Sequence, residues 1–288
     1  MAELDKLLTV VVPVKNEETN LPGCLENIRS FGHVVVVDSG STDGTRALVE
    51  AENVRRQSAG QAPIVWLDFK WNGQFPKKRN WVLRNHRFET PWVLFLDADE
   101  RVPQAVCDEL TEVLPTSTDD VYWLFFDNWF MGRMLKHGDV MRKTALLRIG
   151  AGEYERIEED SWSHLDMEIH EQLIVKGTAG TISARMEHHD RRSLENYYRK
   201  HEAYADWESN RYRALIDKYG AIEKVPNLSP RQRTKYGNLT KWWLAPVYFI
   251  VSYVLKRGFL DGYPGYVFAR GKMRYFASIR RKILGTRN

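Results

Sequence analysis

The chain has 288 residues, 42 Lys and Arg against 38 Asp and Glu, 43% hydrophobic residues and two cysteines. This composition excludes a disordered, collagen-like or low-complexity chain and a disulfide framework. At roughly 100–200 residues per domain it leaves one large domain or two small ones. Charge is unevenly placed: residues 256–288 carry nine Lys or Arg against the single acid Asp261, so the net +4 divides into a −4 body and a +8 tail. Cys24 and Cys107 belong to no CxxC pair, which argues against a thiolate zinc site and for a reducing compartment. Residues 1–6 lack the basic region and small-residue cleavage site of a secretory leader, so a cytoplasmic chain is expected.

Short apolar runs at 7–14 (LLTVVVPV), 34–38 (VVVVD), 64–67 (IVWL) and 92–97 (WVLFLD) have strand length. Their near-continuous apolarity predicts strands buried on both faces, as in a parallel sheet. Helices are predicted between them at 22–29, 45–50 and 78–85, then at 104–114 behind Pro103. This alternation predicts an α/β doubly wound domain whose ligands lie beyond the carboxyl ends of the strands. Strands resume at 121–126 and 145–149, acids crowd 153–171, and a long helix is expected over 194–218. Residues 220–240, with Pro226, Asn227, Ser229, Pro230, Gly237 and Asn238, read as a loop.

Polar groups gather where the strands end. The first ends in Pro13-Val14-Lys15-Asn16-Glu17-Glu18, the second in Asp38-Ser39-Gly40-Ser41-Thr42-Asp43-Gly44, and the fourth in Asp97-Ala98-Asp99-Glu100. The second segment alone is equally readable as a capped turn. Carboxylates packed at one strand terminus are unfavourable unless a cation or charged ligand compensates. Mg²⁺ or Mn²⁺, which bridge carboxylates to phosphates, suit that role.

In order and spacing these three segments resemble the nucleotide-sugar-binding half of the family-2 inverting glycosyltransferases with the GT-A fold. The likeness covers residues 7–114 most clearly. Ile169-His170-Glu171, His188-His189 and Gly258-Phe259-Leu260-Asp261-Gly262-Tyr263-Pro264-Gly265 further resemble bacterial lipopolysaccharide-core and exopolysaccharide sugar transferases. The fold implied is a GT-A mixed sheet with a C-terminal helical, membrane-proximal extension. Its catalytic domain would span 1–190, with a nucleotide-sugar half at 1–115 and an acceptor half at 116–190, followed by a helical region at 191–288.

The resemblance implies that Pro13, Val14, Asn16 and Glu17, with Asp38, Ser39 and Gly40, hold the donor nucleoside. Arg79 and Asn80 would lie near the donor, with a solvated basic helix face as the competing reading of the Lys78-Arg79-Asn80 run. Asp97 and Ala98 would contact the donor's ribose or sugar. Asp99 would bind Mg²⁺ or Mn²⁺, and His188 is a further candidate ligand. An inverting transfer needs a base for the acceptor hydroxyl. Glu171 is the first candidate, with Asp166 and Glu168 as alternatives. A Gln-x-x-Arg-Trp processivity motif is absent, which favours addition of one sugar.

Residues 242–255 (WWLAPVYFIVSYVL) are too few to cross a bilayer, which takes about 20 apolar residues, yet their aromatic and basic flanks suit an interfacial segment. Phe276, Ile279 and Ile283 recur at helical spacing among Lys and Arg, as in a basic amphipathic helix on an anionic membrane. The competing reading is a helical subdomain packed on itself.

The resemblance implies a metal-dependent transferase that moves a sugar, by default from a UDP-sugar, to a glycan or glycolipid acceptor at the cytoplasmic face of the inner membrane. Transfer to polyprenyl phosphate and a nucleotidyltransferase remain rival readings, although the latter lacks its glycine-rich loop after the first strand. A nucleic-acid-binding module is the distant alternative. Acidic strand ends repel a phosphate backbone, so no nucleic-acid partner is expected.

Overall fold

The computed structural model describes residues 3–163, 165–166 and 171–285. Strands β1 (Leu8–Val14), β2 (His33–Asp38), β3 (Val65–Asp68) and β4 (Trp92–Phe95) run parallel in the order β3-β2-β1-β4. With β2 on one side of β1 and β4 on the other, the direction of winding reverses at β1. That reversal opens a crevice beyond the carboxyl ends of β1 and β4. The valine runs of β1 and β2 are buried along their lengths, in one core with Leu25 of α1 (Leu21–Asn27), Val49 of α2 (Thr45–Ser58), Val82 of α3 (Lys78–Asn85) and Val106 of α4 (Gln104–Val113). The third predicted strand differs from expectation: β3 is an edge strand with Val65 exposed, so its apolar run is only half used.

The sheet continues with β5 (Glu100–Arg101), β6 (Val121–Phe130), β8 (Met141–Arg148) and β11 (Ala179–His189), in the order β4-β8-β6-β11-β5. β8 is antiparallel to both β4 and β6, β11 is parallel to β6, and β5 is antiparallel to β11, so the sheet is mixed. Short β7 (Arg133–Leu135) follows β6 in the chain, and β9 (Gly152–Tyr154) pairs with β10 (Leu173–Val175). β11 was not expected: Gly180, Thr181, Ser183 and Arg185 interrupt any apolar run, and most of its side chains are only partly covered.

Contacts divide the chain into two units. One comprises Met1–Trp129, Val140–Asp160 and His164–Arg191 and holds the sheet. The other comprises Phe130–Asp139, Ser161–Ser163 and Arg192–Asn288. It contains α5 (Leu194–Tyr219), α6 (Pro230–Asn238), α7 (Leu244–Phe249) with a π-helical continuation at Ile250–Leu255, and α8 (Gly262–Gly285).

Helix α6 corrects the loop expected at 220–240. Ser229 accepts from the Gln232 amide and Gln232 reaches back to the Ser229 amide, a capping box with Pro230 at the first helical position. The proline and polar residues taken for turn punctuation are a helix start. The second correction concerns α8. Phe276, Ile279 and Ile283, expected to face lipid, are buried in the helical unit's own core with Ala205, Tyr236 and Leu244. No helix among the described residues is long and apolar enough to cross a membrane.

Candidate active site

The turns after β1 and β2 are laced together. Asn16 takes a left-handed conformation (φ 55°), its amide donates to Ser41 Oγ at 2.9 Å, and its Oδ1 accepts from the Thr42 amide at 2.8 Å. The Glu17 amide donates to Thr45 Oγ1 at 2.8 Å, and Glu17 Oε2 accepts from Asn20 Nδ2 at 3.1 Å. Asp38 is buried and accepts from the Gly40 and Ser41 amides and from Ser41 Oγ. It therefore shapes its own turn, and Gly40 supplies the positive φ (88°) that the turn requires. Pro13 and Val14 end β1 directly against β2, with Val14 in register with Asp38.

The start of α3 spreads three consecutive cations into three different surroundings. Lys77, at the N-cap, pairs with Glu171 at 2.9 Å and with Glu159. Lys78 donates to the Val14 carbonyl at 2.7 Å and lies 3.7 Å from Asp166. Arg79 meets Asp97 at 2.6 Å and lies over the Tyr154 ring. All three are buried, so the solvated-face reading of this helix fails. Asn80 is fully buried and exchanges two hydrogen bonds with the Tyr154 backbone, which ties the start of α3 to β9.

Burial pushes the Lys78 ammonium down to about 8 from 10.5, against the opposing pull of Asp166. Between those values the unfolded chain binds more protons than the native one, so this group makes stability rise with pH across that window. Urea unfolding should show wild type gaining up to about 3 kcal/mol relative to Lys78→Met between about pH 8 and 10.5. Parallel profiles for the two proteins would exclude the effect.

Asp97 and Asp99 leave β4 just before β5. Asp97 Oδ1 takes Arg79, and Oδ2 takes Lys143 Nζ at 2.8 Å. Lys143, on β8, also bonds both oxygens of buried Glu100, at 2.7 and 2.8 Å. Burial alone would raise the Asp97 carboxyl, but Lys143 and Arg79 outweigh it and hold the group far below the carboxylate range. Glu100 goes the other way: burial, then the neighbouring Asp97 and Asp99 charges, push it up to about 7 against the pull of Lys143. Ala98 is buried between the two aspartates and its carbonyl accepts from Arg101.

His188 reaches this cluster through strand pairing. β5 and β11 place His188 opposite Glu100, which brings His188 Nε2 to 3.4 Å from Asp99 Oδ2. On the other neighbour of β11, Asn128 of β6 stands in register with His188, and its Oδ1 lies 3.1 Å from His188 Nδ1. An amide oxygen can only accept, so Nδ1 carries a proton in this contact, and Nε2 is the nitrogen turned to the Asp99 side. His189 stacks on Trp129 and bonds Glu187, turned to a different set of partners.

The expected bases lie in other clusters. Asp166, beside the turns after β1 and β2, is 3.6 Å from Lys15 and bonds Ser39. The Glu171 side chain is 2% exposed, and despite burial Lys77 keeps its carboxyl below the ordinary range. A small cavity beside Glu171, Lys77 and Glu159 is also lined by Trp71, Phe75, Glu155 and Asp160. Glu168 lies outside the described residues. Lys143, Asn128 and Glu159 were missed as site residues. Of these, only Lys143 carried a signal, as a lysine just before the apolar run Ala145-Leu146-Leu147.

Residues 9–164 match the family model described as Glycosyl transferase family 2. Lipopolysaccharide core biosynthesis glycosyltransferase LpsC of Rhizobium meliloti (strain 1021) is 30% identical over 176 residues, which is 60% of this chain and 59% of LpsC. Teichoic acid poly(glycerol phosphate) polymerase of Staphylococcus epidermidis is 31% identical over 99 residues, 33% of this chain and 13% of that protein. The chain thus spans less than two thirds of the length of either relative. Among solved structures, mannosyltransferase PcManGT from Pyrobaculum calidifontis, in complex with GDP-Man and Mn²⁺, is similar with a TM-score of 0.52 at 15% identity, over 98% of this chain and 88% of that one. At that identity the likeness shows the fold, the GT-A arrangement of a mixed sheet with helices.

Proposed function

Because this chain belongs to glycosyl transferase family 2, we propose that it moves one sugar from a nucleotide diphosphate sugar, by default a UDP-sugar, to a lipid-linked glycan, with inversion. The observation that carries this reading is the convergence of Asp97, Asp99 and His188 at the carboxyl end of the parallel strands. A lipopolysaccharide-core or exopolysaccharide acceptor is supported by the name of the Rhizobium relative. Such an acceptor would be met at the cytoplasmic face of the inner membrane.

Asp99 and His188 fit Mg²⁺ or Mn²⁺. Together they would supply the ion with one carboxylate and one imidazole donor. When bound, the ion supplies charge neutralisation for the departing nucleoside diphosphate. Asp97 has both oxygens engaged by protein cations, so its role is to orient donor hydroxyls rather than ligate. The turn built by Asn16, Glu17, Asp38, Ser39 and Gly40 provides the nucleoside cradle. Glu171 remains the proposed base. Kept ionised by Lys77, it borders a cavity whose Trp71 and Phe75 suit the apolar face of a sugar and whose acids suit its hydroxyls.

A panel of UDP-, GDP- and ADP-sugars with Mn²⁺, read by nucleotide release and thermal stabilisation, tests the reading directly. Absence of any nucleotide-sugar binding would remove it. Within it, Glu171→Gln is expected to lower transfer about a hundredfold or more, the range of a lost general base, while donor affinity is preserved. Full transfer by E171Q would instead indicate an acceptor that is already anionic, such as a polyprenyl phosphate.

A further inference from the structure

The helix formed by α7 and its π-helical continuation is apolar all round. Its inner side is accounted for: Leu244 and Ala245 enter the helical unit's core, Tyr248 stacks on Phe276 at 4.0 Å between ring centroids, and Ser252 is buried. Its outer side carries Trp243, Val247, Ile250 and Val254, spaced four, three and four residues apart, and all four are exposed. A helix apolar on every side is normally enclosed by protein or lipid. Around this row stand Trp242 (74% exposed), Leu255 (70%), Phe259, Leu260 and Tyr263 (68%).

The patch is held firmly. A Cβ at Gly258 would come 2.7 Å from the Ser252 carbonyl, and one at Gly265 would come 2.1 Å from the Gly258 carbonyl, so the 258–265 turn packs backbone to backbone. Asp261, the one acid between 241 and 263, points away from solvent and accepts from the Lys136 and His137 amides. Lys241, Lys256 and Arg257 are exposed in the same segment. Asp139 pairs with both Lys256 and Lys272 and so cannot neutralise both.

We propose that this face, rather than the amphipathic stripe of α8, seats the protein on an anionic lipid surface. Trp and Tyr beside aliphatic side chains, with cations and no outward acid, match the interface between headgroups and acyl chains. Face-to-face pairing of two copies would set Lys241, Lys256 and Arg257 against their like, which disfavours a second copy as the occupant. The use of this contact, to meet a lipid-held acceptor, rests on the transfer reading. The contact itself does not.

Flotation with phosphatidylcholine vesicles, with and without phosphatidylglycerol, tests it in the absence of any donor. The intact chain is expected to float with anionic vesicles and to be released by salt. Val247→Ser/Ile250→Ser/Val254→Ser should weaken partitioning by roughly tenfold or more. Lys256→Glu/Arg257→Glu should do so on anionic vesicles alone, and Trp242→Phe/Trp243→Phe should reduce quenching by brominated lipid. Unchanged far-UV spectra and unchanged release of nucleotide with a soluble acceptor separate these effects from misfolding and from failure of the transfer reading. The proposal is overturned if the intact chain ignores anionic vesicles, if both sets of changes leave flotation intact, or if they abolish only a concentration-dependent dimer.

Discussion

Asp99→Asn is expected to lower metal-dependent transfer about a thousandfold, equivalent to the several kcal/mol that a divalent ion contributes to a leaving diphosphate. Asparagine keeps the shape of the side chain and loses its charge, so the fold should be retained while Mn²⁺ affinity falls. His188 alone does not replace a carboxylate for a hard ion. The structure supplies a companion experiment. Asn128 orients His188 through Nδ1, so Asn128→Leu should weaken Mn²⁺ binding about 10–100-fold. Calorimetric or electron-spin-resonance titration of Mn²⁺ measures both without reference to turnover. Wild-type Mn²⁺ affinity in Asp99→Asn would remove the ion from this site, and wild-type affinity in Asn128→Leu would remove the orienting role.

What was legible in the sequence follows from how each part of the site is built. β1, β2 and β4 are continuous valine, leucine and aromatic runs because the sheet buries both their faces, and each leads into a polar turn. Arg79, Asp97, Asp99 and His188 could be located in this way or through the family likeness. The parts contributed by pairing across the sheet left no such trace. Asn128 stands beside His188 only because β6 and β11 run parallel in one register, and Lys143 reaches Asp97 only because β8 inserts between β4 and β6. Neither relation has a local signature. The basic run of Lys77, Lys78 and Arg79 was legible as cations but not as buried ones, since a helix start surrounded by Asp97, Asp166 and Glu171 has the same composition as a solvated face. The α8 stripe erred in the opposite direction. Helical periodicity identifies an apolar face without specifying whether lipid or protein covers it, and here Phe276, Ile279 and Ile283 are covered by protein.

Lys143→Met is expected to cost about 3 kcal/mol of stability and about 6–10 °C in Tm, the lower end for breaking a buried ion pair because a quarter of Lys143 and a third of Asp97 reach solvent. Among the described hydrogen bonds and ion pairs the lysine is the only cation on the Glu100 carboxylate, and it shares Asp97 with Arg79. Without it, Asp97 keeps Arg79 while the Glu100 carboxylate loses its ion-pair partner. The penalty should therefore arise from the orphaned Glu100 carboxylate rather than from lost packing. A double-mutant cycle separates the two. Glu100→Gln removes one charge and keeps an oxygen to accept from the Asp97 amide, so Lys143→Met/Glu100→Gln should recover about 2 kcal/mol of the loss, well outside additivity. Additive losses would mean that Lys143 acts through other contacts, such as that of its Nζ with the Phe126 ring 5.4 Å away, and not through its pairing with Glu100.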